Sequence, residues 1–134
     1  MNPKEYRYTQ EHEWICLDSA DKGKMGLTDY AQNQLGDIVY LDLPAPGTKV
    51  EQFKKIGEIE SVKAVSDIFS PASGSVIEIN QRAIDQPQLI NQEPYGAGWL
   101  VRLEISKPEE LNKLMDSHNY DEFVASLEGQ QEKG

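Results

Sequence analysis

The sequence predicts a mainly β domain, a small sandwich or barrel with short helices added, two of them at the C-terminal end. Three observations carry this reading. From Tyr6 to Ile105 the apolar residues come in short runs separated by Gly- and Pro-containing turns. Within that stretch only Asp29–Leu35 has both a helical start and a helical stop. After Ser106 the apolar spacing changes from strand-like alternation to a helical stripe. A chain of 134 residues is one domain by the usual ~100–200 residues per domain. The core is expected over about residues 6–105, the helices over about 107–127, and a frayed polar tail at 129–134.

Taken in order, Tyr6–Thr9, Glu13–Leu17 and Lys24–Leu27 read as strands, with Asp21-Lys22-Gly23 as a turn between the last two. Thr28 is an N-cap and Leu27 before it can staple onto the helix. Gly36 is the C-terminal stop, so Asp29–Leu35 is a short helix. Ile38–Leu43 is a strand ended by Pro44-Ala45-Pro46-Gly47. Lys55–Glu60 and Val65–Phe69 flank Ser61-Val62-Lys63-Ala64, and Ser70–Gly74 is a further turn. Ser75–Asn80 is a strand, Asp85–Asn91 a loop with one helical turn, and Trp99–Ile105 the last strand. Ser106 and Glu109 form a capping box for a helix striped by Leu111, Leu114 and Met115. Tyr120, Phe123, Val124 and Leu127 stripe a second helix.

Composition excludes several classes of function. The formal charge is −10, from 23 acids against 13 bases. Nucleic acids and anionic membrane surfaces demand the opposite sign, so neither is an expected partner. No apolar run approaches the ~20 residues of a membrane span. Met1–Tyr6 has no apolar h-region and no Arg- and Ser-rich character, so neither a signal nor a transit peptide is expected, and the protein is expected in the cytoplasm as a monomer. Cys16 is the only cysteine, which excludes an intrachain disulfide and a Cys-based zinc site. It is expected as a small buried hydrophobe. His12 and His118 are too far apart for a local ligand pair, and there is no phosphate loop or nucleophile elbow. No catalytic group, metal, flavin or nucleotide is expected on this chain.

One lysine stands out. Ile56–Phe69 reads as two strands joined by a tight turn, and Lys63 lies at that turn between the small apolar residues Val62 and Ala64. A four-carbon stem on a turn projects its amine away from the body, where acylation can convert it into a longer, neutral arm.

Here the sequence resembles the H protein of the glycine cleavage system. Glu60-Ser61-Val62-Lys63-Ala64, continued by Ser66-Asp67, is similar to that family's lipoylation motif. Gly26-Leu27-Thr28-Asp29-Tyr30-Ala31-Gln32 followed by Leu35-Gly36-Asp37-Ile38-Val39 is similar to its helix-to-strand segment. His12-Glu13-Trp14, Ser70-Pro71 with Gly74, and Asn91 with Glu93-Pro94-Tyr95-Gly96 and Gly98-Trp99 also match. The resemblance spans roughly residues 6–127. Gln92, Ala97 and Val65 depart from the commoner residues of relatives, at positions that bear on partner docking more than on the lysine.

The resemblance implies a barrel-sandwich hybrid, the fold of lipoyl and biotinyl carrier domains, and a carrier that is not an enzyme. It implies lipoate in amide linkage to Lys63. The arm would take an aminomethyl group from the pyridoxal-phosphate glycine decarboxylase (P protein) and pass it to the aminomethyltransferase (T protein). Dihydrolipoamide dehydrogenase (L protein) would then reoxidise it. A separate lipoylating enzyme would attach the arm. In the family the loaded arm folds back into a cleft, and by position Glu13 and Asp67 are the carboxylates expected to meet its cationic amine. The alternative is an H-like paralogue that relays lipoate without glycine cleavage; it would use the same lysine.

Overall fold

The computed structural model describes residues 2–133. Among the described residues, nine strands form two antiparallel sheets. They are β1 (Arg7–Tyr8), β2 (Glu13–Leu17), β3 (Lys22–Leu27), β4 (Ile38–Asp42), β5 (Lys49–Val50), β6 (Lys55–Ser61), β7 (Val65–Phe69), β8 (Gly74–Ile79) and β9 (Val101–Ile105). The larger sheet runs β1-β2-β3-β9-β8-β5 and the smaller runs β4-β6-β7. Neither closes into a barrel. Ile15, Met25, Val76, Val101 and Leu103 of the larger sheet share one buried core with Ile38, Leu41, Ile59 and Ile68 of the smaller. Each such side chain taken fully out of water contributes about 1.5–3 kcal/mol before entropy is counted.

The first helix, α1, spans Asp29–Leu35 as its caps predict. The Thr28 side chain accepts the Ala31 amide, and Gly36 ends the helix with a left-handed φ of 82°. Two further short helices, α2 (Gln81–Asp85) and α3 (Gln88–Gln92), lie between β8 and β9. The sequence reading expects one helical turn there. Ala83, Leu89 and Ile90 are buried, so both turns are held by packing; neither has a side-chain cap.

Several expected elements differ in detail. The turn expected at Asp21–Gly23 falls earlier, because Asp18 N–H bonds Lys22 C=O and β3 already begins at Lys22. Gly23 is a strand residue opposite Leu17; a Cβ there would lie 2.7 Å from the Cys16 carbonyl oxygen, so the glycine serves close approach and not a turn. The capping box of Ser106 and Glu109 does not form. Lys107 takes the cap position with no side-chain hydrogen bond, and Pro108–Lys113 is a 3-10 helix. Pro108 opens it, and Glu110 instead turns to the body and accepts from Ser73 N (2.8 Å) and Ser73 Oγ (2.9 Å). The last helix, α4, spans Ser117–Lys133 and continues over residues read from composition as a frayed tail. Its Tyr120 is fully buried in an aromatic cluster with Tyr8 and Trp14. Cys16 is half-buried against that cluster instead of fully enclosed, and burial pushes its thiol pKa up. Trp99 is likewise only half-buried, with Lys24 Nζ 4.8 Å from its ring centroid. Among the described residues, no helix is long and apolar enough to cross a membrane.

Candidate functional site

The smaller sheet presents the lysine. β6 alternates, burying Gly57, Ile59 and Ser61 while the residues between them stay partly exposed. That alternation puts the Ser61 hydroxyl inside the hairpin turn. Ser61 Oγ accepts from Lys63 N (3.3 Å) and Ala64 N (3.1 Å), and Ser61 N donates to Ala64 O (2.8 Å). The turn is braced from the side by Val62 N–H donating to Asp37 C=O at 3.0 Å. Lys63 sits exposed at the tip, between Val62 (69% exposed) and Ala64. Among the described residues no carboxylate lies within ion-pairing distance of its ammonium. Its stem passes over Gly36, where an added Cβ would lie 3.4 Å from Lys63 Cε.

Beside the hairpin runs a groove of about 300 Å³ between α1 and the smaller sheet. Tyr30, Ala31, Gln34 and Leu35 of α1 form one wall, and Ile59, Ser66 and Asp67 the other. Glu11, His12 and Leu27 also line it. Leu35 precedes Gly36, the residue beside the lysine stem.

The two predicted carboxylates occupy different environments. Asp67 lines the groove, is about half exposed and pairs with Lys55 Nζ at 3.2 Å. Glu13 is 1% exposed and is not a lining residue. Its Oε1 accepts from Thr9 Oγ1 (2.6 Å) and its Oε2 from Phe69 N (3.2 Å). Burial pushes the Glu13 pKa up to about 8, against the lowering pull of those two hydrogen bonds. Phe69 lies two residues beyond Asp67 on β7, so the buried Glu13 binds a backbone amide of the strand that carries Asp67.

Two groups important to this geometry have roles that the sequence does not show. Thr9 Oγ1 accepts from Glu11 N and Glu13 N while donating to Glu13. His12 has a left-handed φ of 70°, closing the loop from Thr9 to Glu13. Its Nδ1 lies 2.8 Å from Tyr120 Oη, which in turn is 2.7 Å from Thr28 Oγ1, the N-cap of α1. Residue 120 is too distant in sequence for this network to be read from periodicity. Among the described residues no cluster of three or more His, Cys, Asp or Glu could hold a metal ion.

A lysine exposed at a pinned hairpin tip beside a groove is chemically suited to carry a covalent group. Comparison with known proteins identifies the family. The family model for the glycine cleavage H-protein matches residues 6–127. The chain is 44% identical over 122 residues to a glycine cleavage system H protein of Carboxydothermus hydrogenoformans, covering 91% of this chain and 93% of that one. It is 47% identical over 120 residues to the mitochondrial glycine cleavage system H protein 2 of Arabidopsis thaliana, covering 90% and 76%. The crystal structure of an H protein from Mycobacterium marinum superposes with a TM-score of 0.85 at 35% identity, covering 92% of this chain and 99% of that one. The chain thus belongs to the glycine cleavage H-protein family, whose members are lipoate-bearing carriers and not catalysts.

Proposed function

We propose that Lys63 bears the lipoyl group, that the arm lies back along the groove beside α1, and that Asp67 and Glu13 meet its cationic cargo. The observation that supports this best is the Lys63 ammonium at an exposed, internally pinned tip, with its stem beside Gly36, the residue that follows the groove-lining Leu35. Lipoate supplies the dithiolane that takes up and gives up the aminomethyl group. This chain's residues do the rest.

Ser61 and Asp37 hold the turn so that an attaching enzyme meets an ordered lysine. Tyr30, Leu35 and Ile59 offer the arm apolar surface and displace water from it. Asp67 offers a carboxylate at the groove surface. Its pairing with Lys55 is exposed and contributes little, so a cation entering the groove can take over that carboxylate. Glu13 meets a cation only at closer quarters. There, a nearby positive charge lowers its pKa and favours release of its proton.

The partners follow from the family: P, T and L proteins load, unload and reoxidise the arm, and a lipoylating enzyme attaches it. The protein works as a monomer in the cytoplasm, and its charge of −10 steers it toward basic rims on those enzymes.

Intact mass of the protein from its native host, with peptide mapping, tests the attachment. The expected result is one lipoyl group, on Lys63; modification elsewhere or none overturns the proposal. A glycine decarboxylation assay with P protein separates the carrier from a lipoate-relay paralogue. Glu13→Ala is expected to leave lipoylation near normal and to speed spontaneous ammonia release from the loaded protein. The expected acceleration is about tenfold, the scale of one lost hydrogen bond to a charged group. Equal decay in wild type and variant removes Glu13 from the arm's contacts.

A further inference from the structure

We propose that Asn91 is a positioning residue for the carrier lysine, acting through the two-residue connection between α1 and β4. The proposal rests on the reading of Lys63 as the modified residue. Asn91 lies on α3, half-buried, and its side-chain hydrogen bonds converge on α1 and that connection. Its Oδ1 accepts from Ile38 N at 2.9 Å. Its Nδ2 donates to Gly36 O at 2.9 Å and to Gln32 Oε1 at 3.0 Å. The end of the helix, the left-handed Gly36 and the first residue of the strand are thus tied to a single amide.

That connection is what the lysine hairpin leans on. Asp37 C=O accepts the Val62 amide, and the Lys63 stem passes over Gly36. The side-chain hydrogen bonds of Asn91 go to Ile38 N, Gly36 O and Gln32 Oε1, and so fix the backbone beside Val62 and Lys63. Ser61 sets the shape of the turn from inside, whereas Asp37 sets its tilt against the wall of α1. With the Gly36–Asp37 backbone released, the turn keeps its shape but loses its direction. An enzyme that must bring the amine to one reactive atom then has to order the hairpin on binding, which weakens productive binding more than chemistry.

The segment that follows Asn91 holds the opposite end of α1. Tyr95 Oη accepts from Asp29 N at 3.0 Å, and Pro94 O accepts from Trp14 Nε1 at 2.9 Å. This gives a matched comparison, since Tyr95→Phe loosens α1 at its far end while leaving Gly36–Ile38 tied.

The test uses unmodified protein and two readouts. Amide hydrogen exchange is followed at Val62 and across the β2–β3 pair, and attachment kinetics are measured with a lipoate-attaching enzyme, lipoate and ATP. Asn91→Ala is expected to speed Val62 exchange about tenfold or more relative to β2–β3, the scale of one net hydrogen bond. It is also expected to raise KM for the protein substrate several-fold with kcat little changed. Asn91→Asp keeps the acceptor for Ile38 N and loses both donors, so it shows the same pattern and decides the matter if the alanine variant does not fold. Tyr95→Phe is expected to leave Val62 exchange and KM as in wild type. Three results overturn the proposal: unchanged Val62 exchange in both Asn91 variants, equal acceleration at Val62 and β2–β3, or the same effects from Tyr95→Phe. If wild-type protein accepts no lipoate at all, the reading of Lys63 fails, while Val62 exchange still reports on the clamp.

Discussion

Lys63→Arg is expected to abolish lipoyl attachment completely and leave the fold intact. Arginine keeps the positive charge and a long stem, so solubility and the run of the side chain over Gly36 are little altered. It also keeps the backbone amide that donates to Ser61 Oγ. What it lacks is an amine that can lose its proton and be acylated, because the guanidinium stays protonated at any accessible pH. The variant's melting curve should overlay that of wild type, since no core contact is removed. Incubation with lipoate and the attaching enzyme, followed by intact mass, reads the outcome. Lipoate on another lysine of the variant would show that the hairpin is not the address the enzyme reads. A large fall in melting temperature would show that the lysine has a structural role unseen in its exposed environment.

Much of this was legible in the chain because the signals were local. α1 is bounded by two chemical facts that need no tertiary partner, the Thr28 cap and the left-handed Gly36. The lysine hairpin is bounded by strands whose alternation is visible, and the segment that resembles the family's lipoylation motif lies within it. What was not legible depends on partners far away in sequence. β5 has only Lys49 and Val50, and exists because they pair with Ser75 and Gly74 of β8. The capping box at Ser106 fails because the Ser106 amide it would use donates to Ser73 O at 3.0 Å and Pro108 opens the 3-10 helix one residue later than the box requires. The neighbours of Glu13 match a motif, but the hydrogen bonds to Thr9 and Phe69 that hold it in a buried position are not visible in that motif. Asn91, Tyr95 and Pro94 matched the family as residue types; that they hold both ends of α1 and the ring of Trp14 follows only from coordinates.

Glu13 also makes a prediction about stability whose sign is opposite to that of most carboxylates. Burial raises its pKa from an ordinary 4.5 to about 8 in the folded protein. Between those two values the unfolded chain binds fewer protons at this residue than the folded chain does. Stability from Glu13 is therefore fully present below about pH 4.5 and is lost as pH rises through about 8. At about 1.4 kcal/mol per pH unit, the loss across the window is of the order of a few kcal/mol. His12 works the other way, because burial lowers its pKa below 6.5 and its contribution is lost only as pH falls below that value. The span from about pH 6.5 to 8 thus isolates Glu13 from His12. Glu13→Gln replaces the carboxyl with an amide of the same size that is uncharged throughout. In urea unfolding at pH 6.5, 7.2 and 8, wild type should lose stability steadily while the variant stays nearly level, so that the difference between them shifts by about 2 kcal/mol in the variant's favour across this span. Parallel pH profiles for the two proteins would mean that Glu13 is ionised in the resting fold. A cationic cargo would then meet a ready-made anion, with no proton to be released.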